Sequence, residues 1–246
     1  MFNGKREGTR HIFKKAFCYL SYLIFPGKCL VCGRDLLCEQ TEGIPLCSEC
    51  RVKLVPLAGD RCQKCGRLLI SELEVCTSCR NKEFAFKSHK SLFVYRSEIK
   101  ELIYQYKFRK RRSLANWFAS LMSQEIDNNS NYDLIVPVPP NPATLAKRGF
   151  DQVNYLSRLV AARTRLNSLN CLAHRKGKSQ KSLNLAERLK NIEDLFYYKG
   201  HSEAVANKRI LLIDDIFTTG ATLHACAKIL LEKKAASVTA MTIAQD

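Results

Sequence analysis

The sequence has no hydrophobic run long enough to cross a membrane. None of its 246 residues belongs to a stretch approaching the roughly 18–20 consecutive apolar residues that a transmembrane helix needs. It also has no low-complexity segment, and its only internal repetition is among cysteine pairs. These absences exclude a membrane-spanning protein and a repeat array. They favour a soluble protein with one larger and one smaller domain.

The sequence also lacks a convincing export signal. Ala16–Phe25 follows basic residues, but it contains Cys18 and Tyr19 and is followed by no small-residue cleavage site. We interpret it as an amphipathic helix within residues 1–27 that ends at Pro26–Gly27. Clustered Cys-x-x-Cys pairs fit metal binding in a reducing cytoplasm better than an exported disulfide framework, which remains the alternative.

Acidic residues are scarce relative to basic ones. The chain has 23 Asp and Glu against 40 Lys and Arg, a formal charge of +17. Residues 86–246 carry a surplus of twelve positive charges, with clusters at Lys107–Arg112 and Arg175–Lys181. This charge favours an anionic partner, although a basic surface that merely aids solubility explains it equally well.

Cysteine is the one residue type that is locally abundant. Ten of the twelve cysteines precede residue 80, and eight form four Cys-x-x-Cys pairs: Cys29/Cys32, Cys47/Cys50, Cys62/Cys65 and Cys76/Cys79. This spacing predicts two four-thiolate zinc sites that stabilise a segment with little apolar periodicity. Pairing in sequence order is assumed, and a cross-braced arrangement remains open. A structural role is expected, with binding of nucleic acid or protein as the alternative.

The rest of the chain alternates apolar strands with amphipathic helices. Apolar runs predict strands, and helical spacing of apolar residues predicts helices between them. The pattern predicts an α/β domain with a mainly parallel sheet over residues 87–246, after a double zinc module at 28–86. The predicted strands are Ser91–Tyr95, Asp133–Val138, Asn170–Ala173, Arg209–Asp214 and Ser237–Ile243, and residues 175–187 are predicted to form a mobile loop or arm.

One strand ends in a segment suited to a phosphosugar. After the apolar residues 210–213 come Asp214 and Asp215, at the strand end where α/β sheets bind ligands. The following turn comprises Thr218, Thr219, Gly220, Ala221 and Thr222. Its backbone N–H groups and hydroxyls at a helix start suit a phosphate, with Gly220 allowing close approach. An ordinary Asp/Thr helix cap is the simpler alternative.

These residues resemble the phosphoribosyl pyrophosphate (PRPP) motif of type I phosphoribosyltransferases. The resemblance implies that Asp214 and Asp215 address the ribose hydroxyls and that residues 218–222 hold the 5-phosphate. It also implies Mg²⁺ on the pyrophosphate and ribose oxygens, because a hard cation prefers oxygen ligands.

The resemblance extends over nearly the whole chain to the ComF family of competence-associated proteins. The segments that carry it are the cysteine array, Lys107–Phe108 after a helix, Val136–Pro139 with Lys147–Gln152, and residues 175–196. It implies a role in natural transformation. Single-stranded DNA and competence proteins such as a DNA-translocating helicase are the partners that it suggests.

The family resemblance also implies further site residues. Val138 and Pro139 resemble the start of a pyrophosphate loop with Arg148 and Gly149 nearby, and Arg188 is expected to be catalytic in a flexible hood. Asp151 stands where the family usually has Asn, and its charge is expected to weaken anion binding unless Lys147 or Arg148 offsets it.

Three functions remain open on this sequence. The chain is a phosphoribosyltransferase with an unidentified acceptor, a PRPP-binding protein that serves DNA uptake or processing, or a non-catalytic regulator of nucleotide metabolism. No segment identifies an acceptor base. Phe108 is the only aromatic residue inside the Lys107–Arg112 cluster, so stacking with DNA bases is expected to be limited.

Overall fold

The computed structural model describes residues 27–36, 44–54, 56–70, 74–126, 131–175 and 194–246. Contacts divide the chain into two compact units, Met1–Val55 and Pro56–Asp246. The second Cys-x-x-Cys cluster therefore belongs to the same unit as the sheet. The predicted division at residues 27 and 86 stays a prediction, and the predicted N-terminal helix lies outside the described residues. In the part of the chain that the structure covers, no helix is long and apolar enough to span a membrane.

Among its described residues, the first unit contains a turn that carries Cys29 and Cys32 and a short helix. Lys28 bridges Asp35 in antiparallel fashion, and helix α1 covers Ser48–Val52. Gly33, with φ of 74°, donates its N–H to the carbonyl of Cys29 at 2.9 Å. Arg34 pairs with Glu49 through two hydrogen bonds of 2.6 and 2.9 Å. These contacts tie the turn that carries the first cysteine pair to the helix that carries the second.

The second unit contains a five-stranded parallel sheet with strand order β1-β7-β6-β2-β3. A separate antiparallel ladder joins β4 to β5. The strands are β1 His89–Val94, β2 Leu134–Pro137, β3 Asn167–Ser168, β4 Leu172–His174, β5 Phe196–Tyr198, β6 Arg209–Phe217 and β7 Ser237–Gln245. The helices are α2 Ser97–Phe108, α3 Ser113–Glu125, α4 Pro142–Arg148, α5 Gln152–Thr164 and α6 Ala221–Glu232.

Both faces of the central strands are covered, which explains their uninterrupted apolar sequences. In β6, Ile210 and Leu212 lie in the core that α6 completes, and Leu211 and Ile213 on the opposite face are fully buried as well. Helix α5 packs on β2 and β6 on that opposite side, and against α3. A parallel sheet buried on both faces requires such runs. The predicted mainly parallel α/β fold is confirmed.

The strands differ from the prediction in several places. β1 covers His89–Val94 where Ser91–Tyr95 was predicted, β7 continues past Ile243 to Gln245, and β5 was not predicted. β6 continues past Asp214 to Phe217, because β7 pairs with it as far as Gln245. The short strand predicted at 170–173 is instead Leu172–His174, and the two-residue edge strand β3 was not predicted. Of the predicted arm at 175–187, only Arg175 lies within the described residues.

The second cysteine cluster is part of the core of the sheet domain. Cys62, Cys65 and Cys79 are buried in the same apolar cluster as Phe86 and Val136. The low apolar periodicity of this segment is therefore compensated by the hydrophobic residues of the sheet domain.

Candidate functional site

Two neighbouring parallel strands end side by side and bring the predicted site segments together. Pro137 of β2 is in register with Ile213 of β6, and the N–H of Val138 donates to the carbonyl of Ile213 at 2.9 Å. Val138 and Pro139 therefore lie beside Asp214 at the C-terminal edge of the sheet. This edge is where parallel α/β sheets bind ligands.

Asp214 and Asp215 are adjacent, half-buried carboxylates in the last part of β6. The N–H of Asp215 donates to Oδ1 of Asp214 at 2.7 Å. Burial, together with the nearby charge of Asp215, raises the pKa of Asp214 to about 8. The neutral form of Asp214 is therefore favoured in the ligand-free fold, and a ligand that brings positive charge or hydroxyl donors favours its ionised form.

Lys107 lies in the candidate site, although it was not among the site residues predicted from the sequence. Its Nζ lies 2.8 Å from Oδ2 of Asp215, and both side chains are only 14% exposed. The sequence pattern placed Lys107 in a basic cluster on the surface. The available signal was the Lys107–Phe108 pair at the end of a helix, which is one of the ComF-like features. The structure shows that Lys107 supplies the counter-charge of the second carboxylate.

The turn from Thr218 to Thr222, called here the phosphate turn, connects β6 to α6. Thr218 and Thr219 are exposed. Oγ1 of Thr219 accepts from the N–H of Ala221 at 3.4 Å, where α6 begins. Gly220 is buried in the left-handed conformation, with φ of 83°. Threonine hydroxyls and the N-terminus of a twelve-residue helix therefore lie close together in this turn. Both favour the binding of an anion.

Arg148 and Gly149 lie at the end of α4, where Gly149 caps the helix with φ of 77°. The guanidinium of Arg148 stacks over the ring of Phe108 at 4.8 Å and donates to Oε1 of Gln152 at 3.2 Å. Gln152 is buried and donates from Nε2 to the carbonyl of Lys107 at 3.3 Å. Arg148 is therefore connected to the Lys107–Asp215 pair through one buried amide.

Asp151 has a local structural role. Its carboxylate accepts from the N–H of Asn154 at 2.9 Å and caps the start of α5. Burial raises its pKa, and its expected effect on an anionic ligand stays a prediction. Arg188, the predicted catalytic residue of the hood, lies outside the described residues.

Eight cysteines form two four-sulfur clusters, each with its sulfur atoms within 4.8 Å of one another. The first contains Cys29, Cys32, Cys47 and Cys50, and the second contains Cys62, Cys65, Cys76 and Cys79. Neighbouring sulfurs lie 3.7 Å apart in both clusters. Zn–S bonds of about 2.3 Å in a tetrahedron place sulfurs about 3.8 Å apart. The clusters fit structural zinc with the pairs joined in sequence order, and the cross-braced alternative is excluded.

Backbone N–H groups favour the thiolate form of Cys62 in the second cluster, whereas burial raises the pKa of Cys65 and of Cys79. Burial raises the pKa of Cys62, but N–H donors from Cys65 and Cys76 outweigh it and lower the pKa to about 7. The Cys76 N–H lies 3.3 Å from Sγ of Cys62. Stabilised thiolates are the metal-binding form of cysteine.

Comparison with known proteins agrees with this division of sites. Residues 20–80 match the family model of the double zinc ribbon domain, and residues 111–246 match that of the phosphoribosyl transferase domain. The chain is 33% identical over 222 residues to competence protein ComFC of Streptococcus pneumoniae, covering 86% of this chain and 96% of that protein.

Two further relatives extend the comparison. Competence protein ComFC of Bacillus subtilis is 32% identical over 207 residues, covering 80% of this chain and 83% of the relative. The DNA utilization protein YhgH of Salmonella typhimurium is 26% identical over 224 residues, covering 88% of this chain and 96% of the relative.

Proposed function

This chain belongs to the ComF family of competence proteins, and from that premise we propose that it binds PRPP with Mg²⁺ and acts in DNA uptake or processing. The cytoplasm is the compartment that fits this role, since the eight clustered cysteines suit metal binding in a reducing environment.

The observation that carries the proposal is the order of groups at the end of β6. Asp214 and Asp215 offer acceptors for the ribose hydroxyls, and the phosphate turn directly after them offers donors for the 5-phosphate. Val138 and Pro139 on the neighbouring strand end lie beside Asp214 and are proposed to contact the pyrophosphate, with the positive charge of Arg148 connected to the same region. A phosphosugar diphosphate needs all three kinds of contact.

The chemistry that this arrangement supports is loss of pyrophosphate from C1 of the ribose. Bound Mg²⁺ would neutralise the leaving group. The chain's own residues would hold the ribose by its hydroxyls and fix the 5-phosphate while positive charge develops at C1, so catalysis would rest on positioning and charge stabilisation. A protein that only binds PRPP would use the same contacts without an acceptor.

Calorimetric titration of the purified protein with PRPP tests the proposal. Saturable binding of one PRPP per chain is expected in Mg²⁺, with weaker binding in EDTA-treated buffer, because the cation neutralises the pyrophosphate. Ribose 5-phosphate, which lacks the pyrophosphate, serves as the control ligand and should bind more weakly. Absence of PRPP binding to zinc-replete protein would contradict the proposal.

A pyrophosphate-release assay separates an enzyme from a binding protein. Incubation with PRPP, Mg²⁺ and candidate bases or DNA should release pyrophosphate only if the protein transfers the phosphoribosyl group. Release with one acceptor would favour the phosphoribosyltransferase. Binding without release would favour a PRPP-dependent DNA-handling protein or a regulator.

Single-stranded DNA is the partner that a specific surface favours. Arg109, Lys110 and Arg111 are exposed next to Phe108 and Tyr104, whose rings lie 5.1 Å apart and are 47% and 45% exposed. Arg112 also stacks over Phe150 at 5.0 Å. The folded chain thus places more aromatic surface beside the basic residues than the sequence indicated. Exposed rings among cations suit stacked bases and a phosphate backbone. A DNA-translocating helicase of the competence machinery is the protein partner that suits this role.

Replacing Arg109, Lys110 and Arg111 together by serine is expected to weaken binding of single-stranded DNA and to make it less salt-dependent. Loss of up to three phosphate contacts lowers the slope of log K against log salt by about 2. Lys107 stays unchanged because it pairs with Asp215, so PRPP binding should be retained. Fluorescence anisotropy with labelled oligonucleotides measures the DNA affinity and its salt dependence. A slope unaffected by the triple substitution would rule out this surface.

Replacing Tyr104 by alanine should leave that salt slope unchanged while lowering DNA affinity about tenfold, as expected from loss of one stacking contact. Replacing the exposed Leu231 by alanine serves as a control at another surface and should change neither the salt slope nor the DNA affinity. Equal losses for Tyr104→Ala and Leu231→Ala would indicate nonspecific binding.

A further inference from the structure

An aromatic group lies directly beneath the phosphate turn. Phe84, in the segment between the second cysteine cluster and β1, stacks on Phe86 with centroids 4.7 Å apart. It meets Phe217 edge-on at 6.3 Å and His224 of α6 at 6.5 Å. Phe217 ends β6 and His224 lies in the first turn of α6, so Phe84 contacts both elements that carry the phosphate turn.

Gly220 has no space for a side chain because of these rings. A Cβ on Gly220 would lie 2.8 Å from Cε1 of Phe84 and 2.9 Å from Cζ of Phe217. Distances below 3.0 Å are not tolerated between such atoms, and the positive φ of Gly220 adds backbone strain for any other residue. The sequence pattern attributed this glycine to close approach of a ligand. The structure shows that it lets the turn rest on Phe84 and Phe217.

The same aromatic group is joined to the second cysteine cluster. His89 lies stacked on Phe217, with centroids 4.3 Å apart. One ring nitrogen, Nδ1, is 2.7 Å from the carbonyl of Cys65, and Nε2 is 2.9 Å from Oγ1 of Thr242 in β7. A Cβ on Gly66 would lie 2.6 Å from the carbonyl of His89. The cysteine turn at 62–66 is therefore fitted tightly against β1.

A second connection runs through the backbone beside Phe84. The N–H of Ala85 donates to Nδ1 of His224 at 3.0 Å, across 139 residues of sequence. Cys62, Cys65, Cys79, Phe86 and Phe217 all belong to one buried apolar cluster. Displacement of the cysteine turn would therefore disturb the packing beneath the phosphate turn.

We propose that Phe84 is a positioning residue for the phosphate turn, and that a metal ion in the second cysteine cluster strengthens PRPP binding through it. The inference rests on the proposed function. Zinc bound by the second cluster fixes the segment that ends at Phe84, Phe84 supports Gly220, and the turn keeps the conformation that holds the 5-phosphate.

Coupling of this kind is reciprocal. If zinc in the second cluster favours the PRPP-binding conformation of the turn, bound PRPP must retain that zinc to the same degree. The affinity for PRPP should therefore depend on whether zinc occupies the second cluster. A zinc site that packed independently of the turn would not have this effect.

The first test compares Phe84→Ala with Trp117→Ala. Trp117 is also a partly buried aromatic residue of the same unit. It packs on Phe93 and Phe118 and not on the phosphate turn. Both substitutions should lower thermal stability. Only Phe84→Ala should weaken PRPP binding, by about tenfold, which lies in the range of typical coupling free energies. Phe84→Leu, which retains part of the apolar volume, should lose less. Calorimetry well below the unfolding transition, on protein with both zinc ions confirmed by elemental analysis, gives the affinities.

The second test measures zinc release to a chromogenic chelator. In the wild type, saturating PRPP should slow release of one of the two zinc equivalents and leave the other unchanged. In Phe84→Ala the effect of PRPP, at a concentration that saturates this variant, should be largely lost. Cys76→Ser/Cys79→Ser should lower PRPP affinity, whereas the corresponding change Cys29→Ser/Cys32→Ser in the other unit should not.

The outcomes separate the inference from the proposed function. PRPP binding to Phe84→Ala with wild-type affinity, or zinc release from the wild type unaffected by PRPP, would overturn the inference and leave the proposed function intact. No PRPP binding to the wild type would overturn both. A parallel loss of PRPP affinity in Trp117→Ala would assign the effect to general destabilisation and also contradict a specific role for Phe84.

Discussion

Replacing Asp214 by asparagine is expected to abolish PRPP binding and, at the same time, to make the ligand-free protein more resistant to heat. Burial and the charge of Asp215 raise the pKa of Asp214 to about 8. Ionised Asp214 is therefore unfavourable in the ligand-free fold, and asparagine removes that charge while losing a carboxylate acceptor for the ribose. Such a trade between stability and binding is common at functional sites.

The sign of the pH dependence follows from the raised pKa. A carboxyl group whose pKa is higher in the folded than in the unfolded chain contributes its full stability below about pH 4 and loses it as the pH rises through about 8. The gain from Asp214→Asn in thermal unfolding temperature should therefore be small at pH 5 and larger at pH 8.5. Differential scanning calorimetry at these two pH values measures it.

Asp133→Asn is the matched control, because its expected effect on stability has the opposite sign. Arg209 donates two side-chain hydrogen bonds to this carboxylate, at 3.0 and 2.9 Å, and holds its pKa well below the usual range. Asparagine at this position should lower stability at neutral pH without affecting PRPP binding. If Asp214→Asn bound PRPP with wild-type affinity, the proposed contact between Asp214 and the ribose hydroxyls would be wrong.

Removal of zinc is expected to have the largest effect on folding. Wild-type protein should contain two zinc ions per chain, and Cys29→Ser/Cys32→Ser and Cys76→Ser/Cys79→Ser should each contain one. Structural zinc in small domains supplies on the order of 10 kcal/mol of apparent binding free energy, which is also folding free energy. Chelation should therefore lower the unfolding temperature strongly.

The two zinc sites should differ in what their loss disrupts. The second cluster is buried in the core of the sheet domain, so its loss should expose the sheet and lower the main unfolding transition. Loss of the first cluster should chiefly disorder the unit that contains Arg34 and Glu49. Elemental analysis and hydrogen exchange give the two readouts. A content of one zinc or none in metal-replete wild type would contradict this assignment. So would the same pattern of amide hydrogen exchange in the two double variants.

The features that could be predicted from sequence are those that depend on residues close together in the chain. The apolar runs of β2 and β6 identify strands covered on both faces. The two acidic residues before a Thr/Gly turn mark the end of β6, where ligand binding stays a prediction. The spacing of the cysteines identifies two metal sites. In each case the required residues lie within a few positions of one another, so a linear pattern contains the signal.

The features that were not predictable depend on contacts between distant segments. Lys107 meets Asp215 across 108 positions of sequence. From sequence alone its side chain looks like an ordinary surface charge, and only the fold brings the end of α2 beside Asp215. The extension of β6 to Phe217 depends on pairing with β7. Phe84 precedes the first strand of the sheet and belongs to no helix or strand, so only the fold reveals that it lies under Gly220.

A crystal structure of the protein with PRPP and Mg²⁺ tests the central claim most directly. The expected result is PRPP at the C-terminal edge of β6, with the ribose hydroxyls on Asp214 and Asp215. Its 5-phosphate should accept hydrogen bonds from the backbone and hydroxyls of the phosphate turn. PRPP bound elsewhere on the protein, or bound at this edge with its 5-phosphate away from Thr218–Thr222, would contradict the claim.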